Sequence, residues 1–219
     1  MQKKFNTGLV LFDLDGTLID TAPDFHQSIN NILLKYEYPE VDIETLRPYV
    51  SEGSSELIKF AFKIDQDNQM LNQLKDEFLE VYKENLTNLS KPFEGISDVI
   101  NFLDMNNIPY GIVTNKPNAY AEPLINNFEL FKSCKILVCP DHVKISKPNP
   151  EGILLACNKL SVLPQNTIYL GDHNNDLKAG ESAGTRVIGC GYGYSLNTKS
   201  TEIIVDSPKE CLKSSRGRL

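Results

Sequence analysis

The sequence of 219 residues predicts an α/β fold: a doubly wound parallel sheet covered by helices on both faces, with a small helical unit inserted after the first strand. Three observations predict it. Short, wholly apolar runs recur along most of the chain, which is how strands read when both of their faces are buried. Segments with apolar residues at helical spacing alternate with those runs, as parallel pairing requires. The alternation stops between Thr21 and about Ser90, where the only periodicity is helical.

The apolar runs place strands at 8–13, 109–114, 135–139, 167–171 and 186–190, with a weaker sixth at 202–206. Helices are expected between them at 95–106, 118–128, 150–160 and 174–183, the third presenting Ile153, Leu154, Cys157 and Leu160. Pro117 and Pro150 fall where the first turn of a helix tolerates proline. Inside the interruption the spacing predicts helices over 22–36 (Phe25, Ile29, Ile32, Leu33), 54–62 (Leu57, Ile58, Ala61) and 67–86 (Met70, Leu71, Leu74, Phe78, Val81). A serine after Gly53 is expected to cap the second of these. The core is therefore assigned to 1–18 and 91–219 and the helical insertion to 19–90, with hinges near Thr17–Thr21 and Ser90–Gly95.

Composition narrows the class. Hydrophobic content of 41% and charged content of 23% are ordinary for a globular chain of one domain or a core plus an insertion. A net charge of −7 argues against a nucleic-acid surface, which needs a basic stripe. The short basic tail (Lys213, Arg216, Arg218) reads as a solvated end. Five cysteines with no C-x-x-C spacing suggest free thiols in a reducing compartment, and Cys139 with His142 reads as a strand ending in a turn rather than a metal site. No apolar run approaches a membrane span, and Asp13 with Asp15 interrupts what would otherwise be a signal-peptide core after the basic start. A cytoplasmic protein, binding neither nucleic acid nor membrane, is expected, either as a monomer or as a weak homodimer.

Ligands of an open parallel sheet bind beyond the carboxyl ends of its strands. Strand one ends in Asp13 and Asp15, followed by Gly16; strand two ends in Thr114 and Asn115; Lys147 lies past strand three; strand four delivers Gly171-Asp172, with Asp176 one helical turn later. Each of these alone has a bland reading: a calcium-loop fragment, a polar strand exit, a surface lysine, a helix cap. Gly189-x-Gly191-x-Gly193 reads as a plain turn. Together, in this order and at strand ends, they point to chemistry. Each pair of like charges at about 4 Å costs roughly 4 kcal/mol at an effective dielectric near 20. Four such acids need a divalent cation, and an all-oxygen donor set favours Mg²⁺. Mg²⁺, a lysine and a hydroxyl around a carboxylate stabilise a phosphoryl group in transfer.

On Asp13-Leu-Asp15-Gly-Thr17, Thr114, Lys147 and Gly171-Asp172-x-x-x-Asp176, the whole chain resembles the haloacid dehalogenase superfamily of phosphatases. Val113-Thr-Asn-Lys-Pro117 and Gly191-Tyr-Gly-Tyr194 are similar to the phosphoglycolate phosphatase group. Asp20-Thr-Ala-Pro-Asp-Phe25, Ala121-Glu-Pro123 and Cys139-Pro-Asp-His-Val-Lys144 are closer still to a bacterial branch acting on N-acetylmuramic acid 6-phosphate. The resemblance implies a Rossmann-like core, a small α-helical cap, and Mg²⁺-dependent hydrolysis of a small phosphorylated metabolite through an aspartyl-phosphate. Asp13 is then the nucleophile and Asp15 the acid and base, while Thr114, Asn115 and Lys147 hold phosphoryl oxygens. Asp13, Asp15 (through its carbonyl), Asp172 and Asp176 hold the metal. The cap stretch 47–55 corresponds to the family's specificity loop, so Arg47, Gly53 and Ser54 become substrate-binding candidates, with Arg47 facing a substrate carboxylate or simply solvent. A sugar-phosphate mutase and a non-catalytic phosphate-binding module are the alternatives.

Overall fold

The computed structural model describes residues 7–66, 69–196 and 203–212. The basic start and tail (Lys213, Arg216, Arg218), Asp67 at the head of the helix expected over 67–86, and Glu202 at the head of the weak sixth strand lie outside the described residues. The chain divides into two compact units, Met1–Ile19 with Pro92–Leu219, and Asp20–Lys91.

The first unit is built on a six-stranded sheet of β1 (Leu9–Phe12), β4 (Tyr110–Val113), β5 (Leu137–Val138), β6 (Thr167–Gly171), β7 (Arg186–Cys190) and β8 (Ile204–Val205). The short strands β2 (Ile19–Asp20) and β3 (Lys91–Pro92) lie where the chain passes between the units. The sheet order is β5-β4-β1-β6-β7-β8 and the strand pairs are parallel. Central β1 is fully buried, with Leu11 in register with Gly111 on one side and Tyr169 on the other. Such burial on both faces explains why the strand is apolar at every position rather than at alternate ones.

Helices α5 (Ile96–Met105), α6 (Asn118–Asn126), α7 (Glu151–Lys159) and α8 (Asn174–Ala183) link these strands. Leu9, Leu11, Val113, Val138, Ile153, Ala156, Cys157 and Ala179 share one core cluster. Leu154, expected on the apolar face of α7, instead points outward at 40% exposure. Pro117 and Pro150 sit at the cap position, Pro117 just before the helix expected from 118 and Pro150 one residue ahead of α7, which was expected from 150. None of the five cysteines is in a disulfide, and the backbone N–H of Cys139 donates to His142 Nδ1 at 2.9 Å, closing the turn expected there. No helix among the described residues is long and apolar enough to cross a membrane.

The second unit holds α1 (Ala22–Lys35), α2 (Ile43–Glu52), α3 (Ser54–Phe62) and α4 (Leu71–Asn85). Helix α1 buries Phe25, Ile29, Ile32 and Leu33 in the predicted pattern, and the Phe25 ring lies 5.7 Å from that of Phe78 and 4.2 Å from that of Tyr82 on α4. Helix α2 was not expected. Pro48 lies inside it and its apolar face is only Leu46 and Val50, so periodicity hid it. Its start carries an ordinary signal all the same: Asp42 Oδ2 accepts from the backbone N–H groups of Glu44 and Thr45 at 3.0 and 3.2 Å. The stretch 47–55 is therefore the end of one helix and the start of the next rather than a loop. Gly53, at φ 94°, makes the break, and α3 begins without a side-chain cap, so the expected serine cap does not form.

Candidate active site

The acids of β1 follow from the way its ladder ends. The N–H of Asp13 still donates to the Leu170 carbonyl at 2.8 Å, as a strand would. Beyond it the chain folds into a tight turn, with the N–H groups of Leu18 and Ile19 both reaching the Leu14 carbonyl at 3.0 and 3.1 Å. Gly16 takes φ 79° in that turn, and a Cβ there would collide with the Asp172 carboxylate. Only glycine permits both the backbone and the approach.

Three carboxylates then converge. Asp13, Asp172 and Asp176 are all buried and offer oxygens that lie within 4.8 Å of one another. Lys147, itself buried, donates from Nζ to Asp13 Oδ1 at 2.7 Å, to Asp176 Oδ1 at 2.6 Å and to the Tyr169 hydroxyl at 3.0 Å. That hydroxyl donates in turn to the Val113 carbonyl at 2.9 Å. Asp172 accepts from Thr17 Oγ1 at 3.1 Å and from the Tyr194 N–H at 2.8 Å. Asp176 Oδ2 accepts from the His173 N–H at 3.0 Å, so the acid also caps α8.

Charge is out of balance in this crevice. Burial first, and then the Asp176 charge, push Asp13 up to about 7 against the pull of Lys147. Asp172 is raised well above the usual carboxylate range, by burial and then by Asp13 and Asp176. Burial works against the Lys147 ammonium, but Asp13 and Asp176 outweigh it and hold the lysine charged above its ordinary range. One ammonium does not offset three acids, and a buried charge without compensation is expensive. A divalent cation with oxygen ligands fits this donor set.

The neighbouring groups complete the picture. Thr114 is buried at the end of β4, its N–H donating to the Val138 carbonyl at 2.9 Å and its Oγ1 accepting from the Lys116 N–H at 3.1 Å. The Asn115 side chain closes two bonds on the Lys147 backbone, donating to its carbonyl at 3.0 Å and accepting from its N–H at 3.1 Å. Asn115 thereby fixes where Lys147 starts. Asp15 Oδ1 accepts from Lys116 Nζ at 2.9 Å.

The core candidates Asp13, Lys147, Asp172 and Asp176 thus meet directly, and Asn115 grips Lys147 through its backbone. Arg47, Gly53 and Ser54 belong to the helical unit. The Arg47 guanidinium there donates to both oxygens of Asp20, at 2.8 and 3.1 Å, so it is neither merely solvated nor open on that side. The sequence reading missed four contributors: Lys116, the Tyr169 hydroxyl, the Thr17 hydroxyl and the 191–194 turn. The turn is more than plain, because a Cβ on Gly193 would strike Asp172 and the Gly16 carbonyl. Lys116 stood two residues after Thr114 in the sequence and Gly193 in a glycine run, so both were visible; Tyr169 looked like any strand aromatic.

Comparison with known proteins agrees with this geometry. Residues 10–190 match the family model described as haloacid dehalogenase-like hydrolase. The chain is 36% identical over 215 residues to an N-acetylmuramic acid 6-phosphate phosphatase of Pseudomonas aeruginosa, covering 96% of this chain and 95% of the relative. It is 34% identical over 185 residues to a phosphoglycolate phosphatase of Xylella fastidiosa, covering 84% of this chain and 80% of the other. A crystal structure described as a predicted phosphoglycolate phosphatase, from Haemophilus somnus, superposes with a TM-score of 0.83 at 27% identity, over 97% of this chain and 98% of that one.

Proposed function

The chain belongs to the haloacid dehalogenase-like hydrolase family and is a phosphatase, and from that premise we propose that it hydrolyses the phosphomonoester of a small metabolite, N-acetylmuramic acid 6-phosphate first and 2-phosphoglycolate second. The observation that carries the reading is the convergence of Asp13, Asp172 and Asp176, with buried Lys147 bridging Asp13 and Asp176 and Lys116 holding Asp15. The order of the two substrates follows the relatives: the first activity is that of a protein 36% identical over 96% of this chain.

In the proposed reaction an Asp13 carboxylate oxygen forms a bond to phosphorus. The bond between phosphorus and the substrate oxygen breaks, its electron pair stays on that oxygen, and Asp15 supplies the proton. Water then attacks the aspartyl-phosphate. Asp15 takes a proton from it, the bond to Asp13 breaks, and phosphate leaves. Lys147, Thr114 and the Asn115 backbone amide hold the phosphoryl oxygens. Asp13, Asp172, Asp176 and the Asp15 carbonyl would hold Mg²⁺, which when bound neutralises charge on the transferring group. Arg47, Gly53 and Ser54 are the residues proposed to select the substrate, with Arg47 already held in place by Asp20.

Measuring kcat/KM side by side on the two compounds, with excess Mg²⁺ and with EDTA, tests the reading. Preference for the amino-sugar phosphate and loss of turnover in EDTA are expected. Phosphate release from neither compound would remove both substrates from consideration.

A further inference from the structure

We propose that Lys116 is a positioning residue, whose ammonium holds the Asp15 carboxyl group in the place from which, when protonated, it passes its proton to the departing substrate oxygen. The inference deepens the proposed function and rests on Asp15 being the acid.

Lysines are almost never buried unless paired, and ordering the long side chain costs rotamer freedom. The Lys116 side chain is nevertheless only 5% exposed, and its Nζ lies 2.9 Å from Asp15 Oδ1, across 101 residues of sequence. Its backbone is fixed as well, because its N–H donates to the buried hydroxyl of Thr114 at 3.1 Å. The backbone and the ammonium of Lys116 are therefore both anchored, one on Thr114 and the other on Asp15. A surface pair would hold its geometry weakly, whereas a buried charge-assisted bond holds it firmly.

The two site lysines serve different carboxylates. Lys147 bridges Asp13 and Asp176, on the side of the nucleophile and the metal ligands. Lys116 contacts Asp15, whose side chain keeps 15% exposure and so stays within reach of a substrate. Asp15 needs a fixed orientation more than Asp13 does, since it must face the leaving oxygen in one step and the attacking water in the next. Holding it from one side supplies that orientation in advance.

The test exploits the leaving group. An acid matters most when the departing oxygen is a poor anion, as in an alkyl ester, and least for an aryl oxide that is stable unprotonated. The value of kcat/KM reports the first irreversible step, phosphoryl transfer to Asp13, so it separates the two cases. The probes are p-nitrophenyl phosphate and whichever of N-acetylmuramic acid 6-phosphate and 2-phosphoglycolate the wild type turns over. Lys116→Met keeps the apolar stem and removes the ammonium, and with it the bond to Asp15. It should lose about 100-fold on the alkyl ester and no more than about tenfold on the aryl ester. Lys116→Gln reads the same ratio should the methionine variant fail to fold, and Lys116→Arg should recover most of the alkyl activity. Equal losses on both esters, or no recovery with arginine, overturn the proposal. Wild-type protein that releases phosphate from none of these esters overturns the phosphatase reading, and this inference with it.

Discussion

Each unit of the protein buries carboxylate in a different way. In the helical unit Asp24 is fully buried in the first turn of α1, and its oxygens accept from the N–H groups of Thr87, Leu89 and Ser90 at 2.9, 2.7 and 3.2 Å, and from the Ser90 hydroxyl. Four donors and the positive end of a helix satisfy one acid, and the result ties α1 to the segment that follows α4. In the core unit three acids converge, Lys147 bridges only Asp13 and Asp176, and burial with like charge drives Asp13 and Asp172 toward their protonated forms. Satisfied burial makes structure. Burial that leaves charge uncompensated marks a place kept for a cation and a phosphoryl group, with the local cost met by the rest of the fold.

The largest effect should come from Asp13→Asn. Turnover should fall at least about 10⁴-fold, because an amide oxygen cannot replace the nucleophile. Thermal stability should hold or rise, since the change removes a like charge from the crowded crevice. A clear drop in melting temperature would show that Asp13 behaves like Asp24, and the contrast between the units would fail.

Lys147→Ala comes next. It withdraws the cation from Asp13 and Asp176 and should cost about 10²- to 10³-fold in kcat/KM, together with about 3–5 kcal/mol of stability without metal. Chemical denaturation and steady-state rates, measured on the same sample, check both. An unchanged kcat/KM would remove Lys147 from the reaction.

Asp24→Ala is the mirror image. Four donors lose their acceptor, so stability should drop by about 2–4 kcal/mol, while kcat/KM at low temperature stays within about threefold. A large loss of rate in a fully folded variant would give Asp24 a part in catalysis.

The smallest effect is on pH. Asp13 is raised from its ordinary 3.8 to about 7, so in EDTA its contribution is fully present below about 4 and is lost as pH rises through about 7. Magnesium competes with that proton. The rise in melting temperature on adding Mg²⁺ should therefore be small at pH 5 and should grow to several degrees at pH 8. An equal shift at both values would uncouple metal from the buried acids.

The legible part of the site was the part written as strand ends. Asp13, Thr114 and Asp172 each follow an apolar run, so their convergence could be inferred from parallel topology alone. Lys116, Tyr169 and Tyr194 could not be found that way. Their contacts with Asp15, Lys147 and Asp172 exist only once distant segments close on each other, so Lys116 and Tyr194 stand in recognisable stretches while their partners do not show there, and Tyr169 has no local mark at all. The fold itself was clear where burial is two-sided. It failed at α2, where Pro48 and a narrow apolar face leave the capping Asp42 as the only local signal. Arg47 shows the same limit: its spacing from Asp20 says nothing of the two bonds between them.

The central claim is that negative charge left over among Asp13, Asp172 and Asp176 is there to take magnesium for phosphoryl transfer. Phosphate release from p-nitrophenyl phosphate, followed in EDTA and then through a titration with MgCl₂, tests it most directly. Activity should be absent in EDTA and return saturably with the added metal. Full turnover in EDTA would contradict the account.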